Sequence, residues 1–169
     1  MKKLKILGLV VLFALVGLFL FSCVLICLNP YNTHNVLLKE EVNKLYNTQE
    51  FMLNDVVPFE WDEMYVIEKG VSSEEVKGII NVHHSLVKDS FSGEEENTAC
   101  VIFLKDGVIT AYLNGYVSDI GFDVKIPMNK GNYGVLHSED NPVFYIENVN
   151  GVPVLCELNY AIRGGIDDV

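Results

Sequence analysis

The sequence predicts an α+β protein: an N-terminal transmembrane helix, then a small antiparallel sheet of about four to five strands with one or two helices. Three observations carry this prediction. Residues 6–28 form an apolar run, two predicted hairpin turns (Asp106-Gly107 and Asn150-Gly151) separate apolar stretches, and helical spacing of apolar residues follows Asn35. With 169 residues, the chain has room for one modest domain beside the helix.

The apolar run is long enough to be a membrane anchor. Residues 6–28 contain no charged side chain, and Asn29 and Pro30 end the run. A helix of this length extends about 34 Å, which exceeds a hydrocarbon core of about 30 Å. Lys2, Lys3 and Lys5 precede the run, and the next basic residue is Lys39. We therefore predict a single-pass anchor with residues 1–5 in the cytoplasm and the rest of the chain outside.

A lipid-modified cysteine is the alternative to this anchor. The stretch "LFSC", which ends at Cys23, is similar to the bacterial lipobox. Phe21 and the apolar residues after Cys23 depart from that pattern, so lipidation of Cys23 is left open. A cleaved secretory signal is disfavoured, because its apolar stretch is typically only about 7–15 residues long.

The part of the chain beyond the run is strongly acidic. Without the three N-terminal lysines, nine basic residues remain against 23 acidic ones, a formal charge of −14. Phosphate backbones repel such a surface, which excludes nucleic acid as an expected partner. The membrane and a protein of the cell envelope are the partners that we expect.

Two segments follow the run. Residues 29–56 are predicted to hold a short polar spacer and an amphipathic helix that begins near Val36, with its apolar face packed on the domain. That face is formed by Leu38, Val42, Leu45 and Tyr46. Residues 57–169 are predicted to form the extracytoplasmic α+β domain.

The stretch "PFEWDEMYVIEKG" at residues 58–70 contains the only tryptophan. With a period of two, Phe59, Trp61, Tyr65 and Ile67 fall on one face of a strand, and we interpret this face as core rather than as a binding surface. Ser72 and Glu75 of the next segment match a capping box, which predicts a short helix weakened by Gly78.

The rest of the domain is predicted to be mostly sheet. The Asp106-Gly107 turn is expected to pair Lys105 with Val108, Phe103 with Thr110 and Val101 with Tyr112. The Asn150-Gly151 turn is expected to pair Val149 with Val152 and Ile146 with Leu155. A strand is also expected at residues 122–126, and Pro153 indicates that the last strand lies at a sheet edge at that point.

Cys100 and Cys156 leave two alternatives open. An extracytoplasmic location permits a disulfide, which would close a loop of about 55 residues and stabilise the fold by about 4 kcal/mol. Two buried free thiols are the other alternative, since cysteine is a common core residue.

The sequence contains residues that could act in catalysis or bind a metal, but they do not have the spacing that either function requires. His83 and His84 are adjacent, so their side chains diverge by about 100° on a helix and point to opposite faces of a strand. Asp62 and Glu63 diverge in the same way, and Asp62 is expected to accept backbone N–H bonds. We predict no catalytic, cofactor or metal site and no enzyme; the alternative is a metal-dependent hydrolase using His83, His84 and nearby carboxylates.

Three short stretches, "FEWDEMYV", "SSEEV" and "VIFLKDGVI", carry a resemblance. They resemble a loose group of small bacterial membrane-anchored proteins and lipoproteins with a W-D-x-x-Y-V strand, an S-x-E-E helix and a K-D-G hairpin. The resemblance covers residues 59–112, about a third of the chain. It assigns a role to no residue. The expected function, an interaction or structural domain outside the membrane, follows instead from the uncharged run, the lysines before it and the absence of a catalytic pattern in the sequence.

Overall fold

The computed structural model describes residues 16–17, 30–45, 50–82, 87 and 97–159. The helices are α1 (Pro30–Lys44), α2 (Leu53–Val56), α3 (Ser73–Ile80) and α4 (Val117–Ile120), with a 3-10 turn at Ser138–Asp140. The strands are β1 (Phe51–Met52), β2 (Glu63–Ile67), β3 (Thr98–Lys105), β4 (Val108–Tyr116), β5 (Asp123–Lys125), β6 (Tyr133–His137), β7 (Val143–Val149) and β8 (Val152–Glu157).

The strands form two four-stranded sheets. Sheet I has the order β1-β7-β8-β5 and sheet II the order β4-β3-β2-β6. Neighbouring strands are antiparallel except β5 and β8, which are parallel. The α+β class is confirmed, but the prediction of one antiparallel sheet of about four to five strands is wrong. Strands β1 and β6 were not predicted from the sequence. Strand β1 has only two residues, and β6 begins "YG" and shows no alternation of apolar and polar residues.

The two sheets pack face to face around one core. Sheet II contributes Met64, Val66, Val101 and Phe103, and sheet I contributes Phe144 and Leu155. The opposite face of sheet II packs against α3, whose Val76 and Ile80 are buried in a second apolar cluster. The predicted cap of α3 is confirmed, because Ser72 Oγ accepts the Glu75 N–H at 3.3 Å.

The first hairpin departs from its predicted register. Lys105 pairs with Val108 as expected, but a bulge then shifts Phe103 to Ala111 and Val101 to Leu113. The unbulged register would place Thr110 and Tyr112 opposite the core residues Phe103 and Val101. The bulge instead buries Ala111 and Leu113, so the predicted Thr110 and Tyr112 pairings are wrong.

The second hairpin has its predicted register, since Val149 pairs with Val152 and Ile146 with Leu155. The strand expected at residues 122–126 is β5. Although β8 lies inside sheet I, β5 pairs with it only from Val154 onward. Pro153 therefore lies just beyond the parallel ladder, where its missing N–H costs no strand pairing.

The helix after the apolar run is longer than predicted. Residues 30–34 belong to α1 rather than to a spacer, because proline is tolerated in the first turn of a helix. The predicted packing is confirmed: Leu38 and Val42 are buried in the core between the sheets, and Leu45 packs partly buried against it. Tyr46 lies outside the described residues.

The aromatic stretch forms no single face. Strand β2 begins only at Glu63, so Phe59 and Trp61 precede it. Trp61 packs edge-on against Phe103 in the core between the sheets, whereas Tyr65 lies in the second cluster. The prediction that Trp61 and Tyr65 belong to the core is confirmed. The prediction that they share one face of a strand is wrong, because β2 begins only at Glu63 and its two-residue alternation does not extend back to Trp61.

The predicted anchor at residues 6–28 lies outside the described residues, apart from residues 16 and 17. In the part of the chain that the structure describes, no helix combines the length and apolarity needed to cross a membrane.

The domain has two distinct ends, named here after their hairpin turns. At the Gly107 end, the β3–β4 turn lies beside Glu63 and His137, which are opposite each other on β2 and β6. At the Gly151 end, the β7–β8 turn lies beside Asn97 and Tyr116, at the opposite ends of β3 and β4. Strand β4 therefore runs from the Gly107 end to the Gly151 end.

Candidate functional site

The Asp62 side chain connects the loop before β2 to the β3–β4 turn through two hydrogen bonds. Its Oδ1 accepts the Lys105 ammonium at 2.7 Å and its Oδ2 accepts the Asp106 N–H at 2.7 Å. The Asp106 N–H and the Lys105 ammonium hold the pKa of the Asp62 carboxyl below its usual value. The expectation that Asp62 accepts a backbone N–H is confirmed, and this bond fixes the left-handed turn at Asp106.

A second polar group lies next to Asp62. The Tyr65 hydroxyl donates to Glu63 Oε2 at 3.1 Å, and His137 Nδ1 lies 3.9 Å from Glu63 Oε1. Burial, together with the negative charge of Glu63, raises the pKa of Tyr65 to about 12. Tyr65 is therefore a protonated donor at neutral pH, and it holds one oxygen of the Glu63 carboxylate.

These groups border a cavity of about 430 Å³ at the Gly107 end. Asp62, Glu63 and Glu139 line it together with His137 and Gly107. The cavity is acidic, and its described contacts tie β2, β6 and the β3–β4 turn together.

A groove of about 490 Å³ lies at the Gly151 end. Its lining joins the two sheets, with Asn97 and Tyr116 from the sheet II side and Asp123, Lys125 and Val154 from sheet I. Burial raises the pKa of Asp123, although the Val124 N–H and Lys125 act in the opposite direction. The groove therefore offers both charged and apolar groups between the two sheets.

Both edges of sheet II are covered by an asparagine. The Asn35 carboxamide donates to the Tyr112 carbonyl at 2.8 Å and accepts the Tyr112 N–H at 3.1 Å. On the opposite edge, Asn129 makes the same pair of bonds with Val135, both at 3.3 Å. Each carboxamide takes the place of a neighbouring strand, which blocks the addition of another strand at that position.

The two domain cysteines are buried free thiols in this structure. Cys100 points into the cluster between sheet II and α3. Cys156 alternates with the core residue Leu155, so it points to the outer face of sheet I, next to Tyr145. Their side chains thus leave the sandwich on opposite sides, and no disulfide joins Cys100 to Cys156 because a bridge requires convergent Cβ atoms.

The remaining candidates are separated or lie outside the described residues. His83, His84 and Cys23 are all outside them, so the metal-site and lipidation alternatives that use them stay predictions. His34 belongs to the packing of α1, where its Nδ1 bonds the Thr110 carbonyl at 2.8 Å and its ring stacks on Phe59. Among the described residues, no three histidine, cysteine or acidic side chains converge as metal ligands would.

Comparisons with models of known protein families, with curated proteins and with solved structures find no match to this chain. The resemblance to small bacterial anchored proteins therefore stays a prediction.

Sequence reasoning missed the cavity and the groove, because each is built from distant segments. Asp62 and Lys105 are 43 positions apart, and Glu63 meets His137 only through the β2–β6 pairing. Strand β6 was not predicted, so no sequence pattern placed His137 opposite Glu63. The "KDG" turn was the one available signal, since a tight turn beside an acidic loop favours a carboxylate-to-amide bond.

Proposed function

We propose that this chain is a bacterial single-pass membrane protein whose acidic α+β domain lies outside the cell membrane as an interaction or structural module. One observation carries the proposal: residues 6–28 form an uncharged run, with three lysines before it and no basic residue after it until Lys39. That arrangement is typical of an anchor with a cytoplasmic N-terminus.

The fold supports a non-catalytic role for the domain. The polar contacts at the Gly107 end join Asp62 to Lys105 of β3 and bring Glu63 of β2 next to His137 of β6, so both connect segments of sheet II. A protein partner in the envelope is not expected to add a strand at Tyr112 or Val135 of sheet II, because Asn35 and Asn129 occupy the main-chain groups there. The groove at the Gly151 end, with Asp123 and Lys125, is the surface that we propose for contacts with such a partner.

Protease protection in spheroplasts tests the location. Protease added to intact spheroplasts is expected to remove the domain, while a cytoplasmic marker protein stays intact. Survival of the domain in spheroplasts, followed by digestion after lysis, would place it in the cytoplasm and overturn the proposal.

Intact mass distinguishes the anchor from the lipoprotein alternative. The anchor predicts that the membrane-associated protein keeps residues 1–22. An acylated chain that begins at Cys23 would replace the transmembrane anchor by a lipid anchor, although the domain would stay outside.

A further inference from the structure

We propose that the domain stands on the membrane on its Gly107 end, so that the Gly151 end and its groove face away from the lipid. This inference rests on the proposed anchor at residues 6–28 and adds an orientation to it. It follows from the length of the connection to the domain, the attachment of α1 and the direction of β4.

The connection between the apolar run and the domain is very short. The run ends at Leu28, and Tyr31 already packs against the second apolar cluster. Three peptide units separate these residues, and each spans at most about 3.6 Å. The first turn of α1 therefore lies within about 11 Å of the end of the run, which places it in or just outside the lipid headgroup layer.

The first turns of α1 are attached to the half of β4 that lies nearer the Gly107 end. His34 bonds the Thr110 carbonyl and stacks on Phe59, with ring centroids 4.5 Å apart. One residue later, Asn35 holds both main-chain groups of Tyr112. These contacts attach the beginning of the helix to sheet II.

The contacts of α1 also give its direction. His34 meets Thr110, Asn35 meets Tyr112, and Lys39 Nζ donates to the Asp119 carbonyl at 2.8 Å. The helix therefore runs in the same direction as β4, with its beginning at the Gly107 end. The nine residues of β4 extend about 27 Å toward the other end, which places the Gly151 end well beyond the headgroups.

The charge of the Gly107 end determines which lipid suits a test. Asp62, Glu63, Asp106 and Glu139 lie there against the single cation Lys105, in the part of this end that the structure describes. Anionic headgroups would repel this surface, so the orientation is best measured in zwitterionic phosphatidylcholine vesicles at physiological ionic strength.

Two exposed valines provide a matched pair of reporter positions. Val108 is 58% exposed at the Gly107 end and Val149 is 42% exposed at the Gly151 end, and both flank a hairpin turn. The full-length chain with Val108→Cys or Val149→Cys is labelled with a fluorophore and reconstituted into phosphatidylcholine vesicles that carry a headgroup nitroxide. The unsubstituted protein, treated with the same reagent, measures the background from the native cysteines.

The nitroxide is expected to quench the label at position 108 at least threefold more strongly than the label at position 149. Equal quenching, or stronger quenching at position 149, in protein that floats with the vesicles would overturn the orientation while leaving the anchor intact. Failure of the full-length protein to float with the vesicles would overturn the anchor, and the orientation with it.

Discussion

At the scale of single residues, the buried thiol of Cys100 makes the unfolding free energy depend on pH in the alkaline range. Burial raises the pKa of Cys100 to about 12, from an ordinary value of 9.0. The folded state thus retains a proton that the unfolded state releases. Its stabilising effect is complete below pH 9 and is lost as pH rises toward 12.

We expect Cys100→Ala to be less sensitive to this pH range. Between pH 8 and pH 10.5, the unsubstituted protein should lose about 2 kcal/mol of unfolding free energy through Cys100, and the variant should lack that loss. Denaturant unfolding at both pH values measures it. Parallel losses in the two proteins would show that Cys100 does not titrate in this way.

Some residue roles were predictable from local chemistry. Ser72 was identified as a cap because its partner, Glu75, is three residues away. Trp61 was identified as core, but its face was not. The alternation that would align it with Tyr65 is broken before Glu63, where Asp62 bonds to the β3–β4 turn through its side chain and to Leu104 and Ser138 through its main chain.

At the scale of secondary-structure elements, Asn35 attaches α1 to the edge of sheet II. Asn35→Ala removes a donor and an acceptor from the main chain of Tyr112, so we expect a loss of about 1–3 kcal/mol of unfolding free energy. The neighbouring Val36→Ala is the matched control, since Val36 is 54% exposed and should change stability by less than about 0.5 kcal/mol.

Hydrogen exchange localises the effect of Asn35. The Tyr112 amide should exchange faster in Asn35→Ala than in Val36→Ala, because its carboxamide acceptor is gone. Equal stability and equal Tyr112 exchange in the two variants would rule out the attachment that we describe.

Residues 126–127 pass very close to Gly134 in β6, and a substitution of Gly134 tests this contact. A Cβ at position 134 would lie 2.5 Å from the Pro127 carbonyl oxygen and 2.8 Å from Ile126 Cδ1. Main-chain atoms cannot yield cheaply, so we expect Gly134→Ala to cost about 1–3 kcal/mol of unfolding free energy.

Gly78 provides the control for Gly134. It lies inside α3, and a Cβ added there would meet no described atom of the surrounding structure within 4 Å. Gly78→Ala should therefore stabilise the helix by about 0.5–1 kcal/mol. Thermal or denaturant unfolding of both variants measures the contrast. A Gly134→Ala variant as stable as Gly78→Ala would contradict the packing of residues 126–127 over β6.

The secondary-structure elements with the strongest local sequence patterns were predicted most accurately. The Asn150-Gly151 hairpin was predicted with its register because the turn alone determines the pairing. The Asp106-Gly107 hairpin was predicted only near its turn. Beyond Leu104, the burial of Ala111 and Leu113 against sheet I outweighs the register that the turn favours.

At the scale of the whole molecule, the α+β class was predictable and the two-sheet arrangement was not. Sheet I depends on the parallel pairing of β5 with β8 and on the two-residue β1, and neither leaves a periodic pattern in the sequence. The cavity and the groove were unpredictable for the same reason, because each is assembled by pairings between distant strands.

The proposed location and role both require residues 6–28 to hold the full-length protein in the membrane, and cell fractionation measures this attachment. We expect the full-length chain to sediment with membranes, to resist washing with high salt and alkaline carbonate, and to be released by detergent. Recovery of the full-length chain in the soluble cytosolic fraction would contradict both the location and the proposed role.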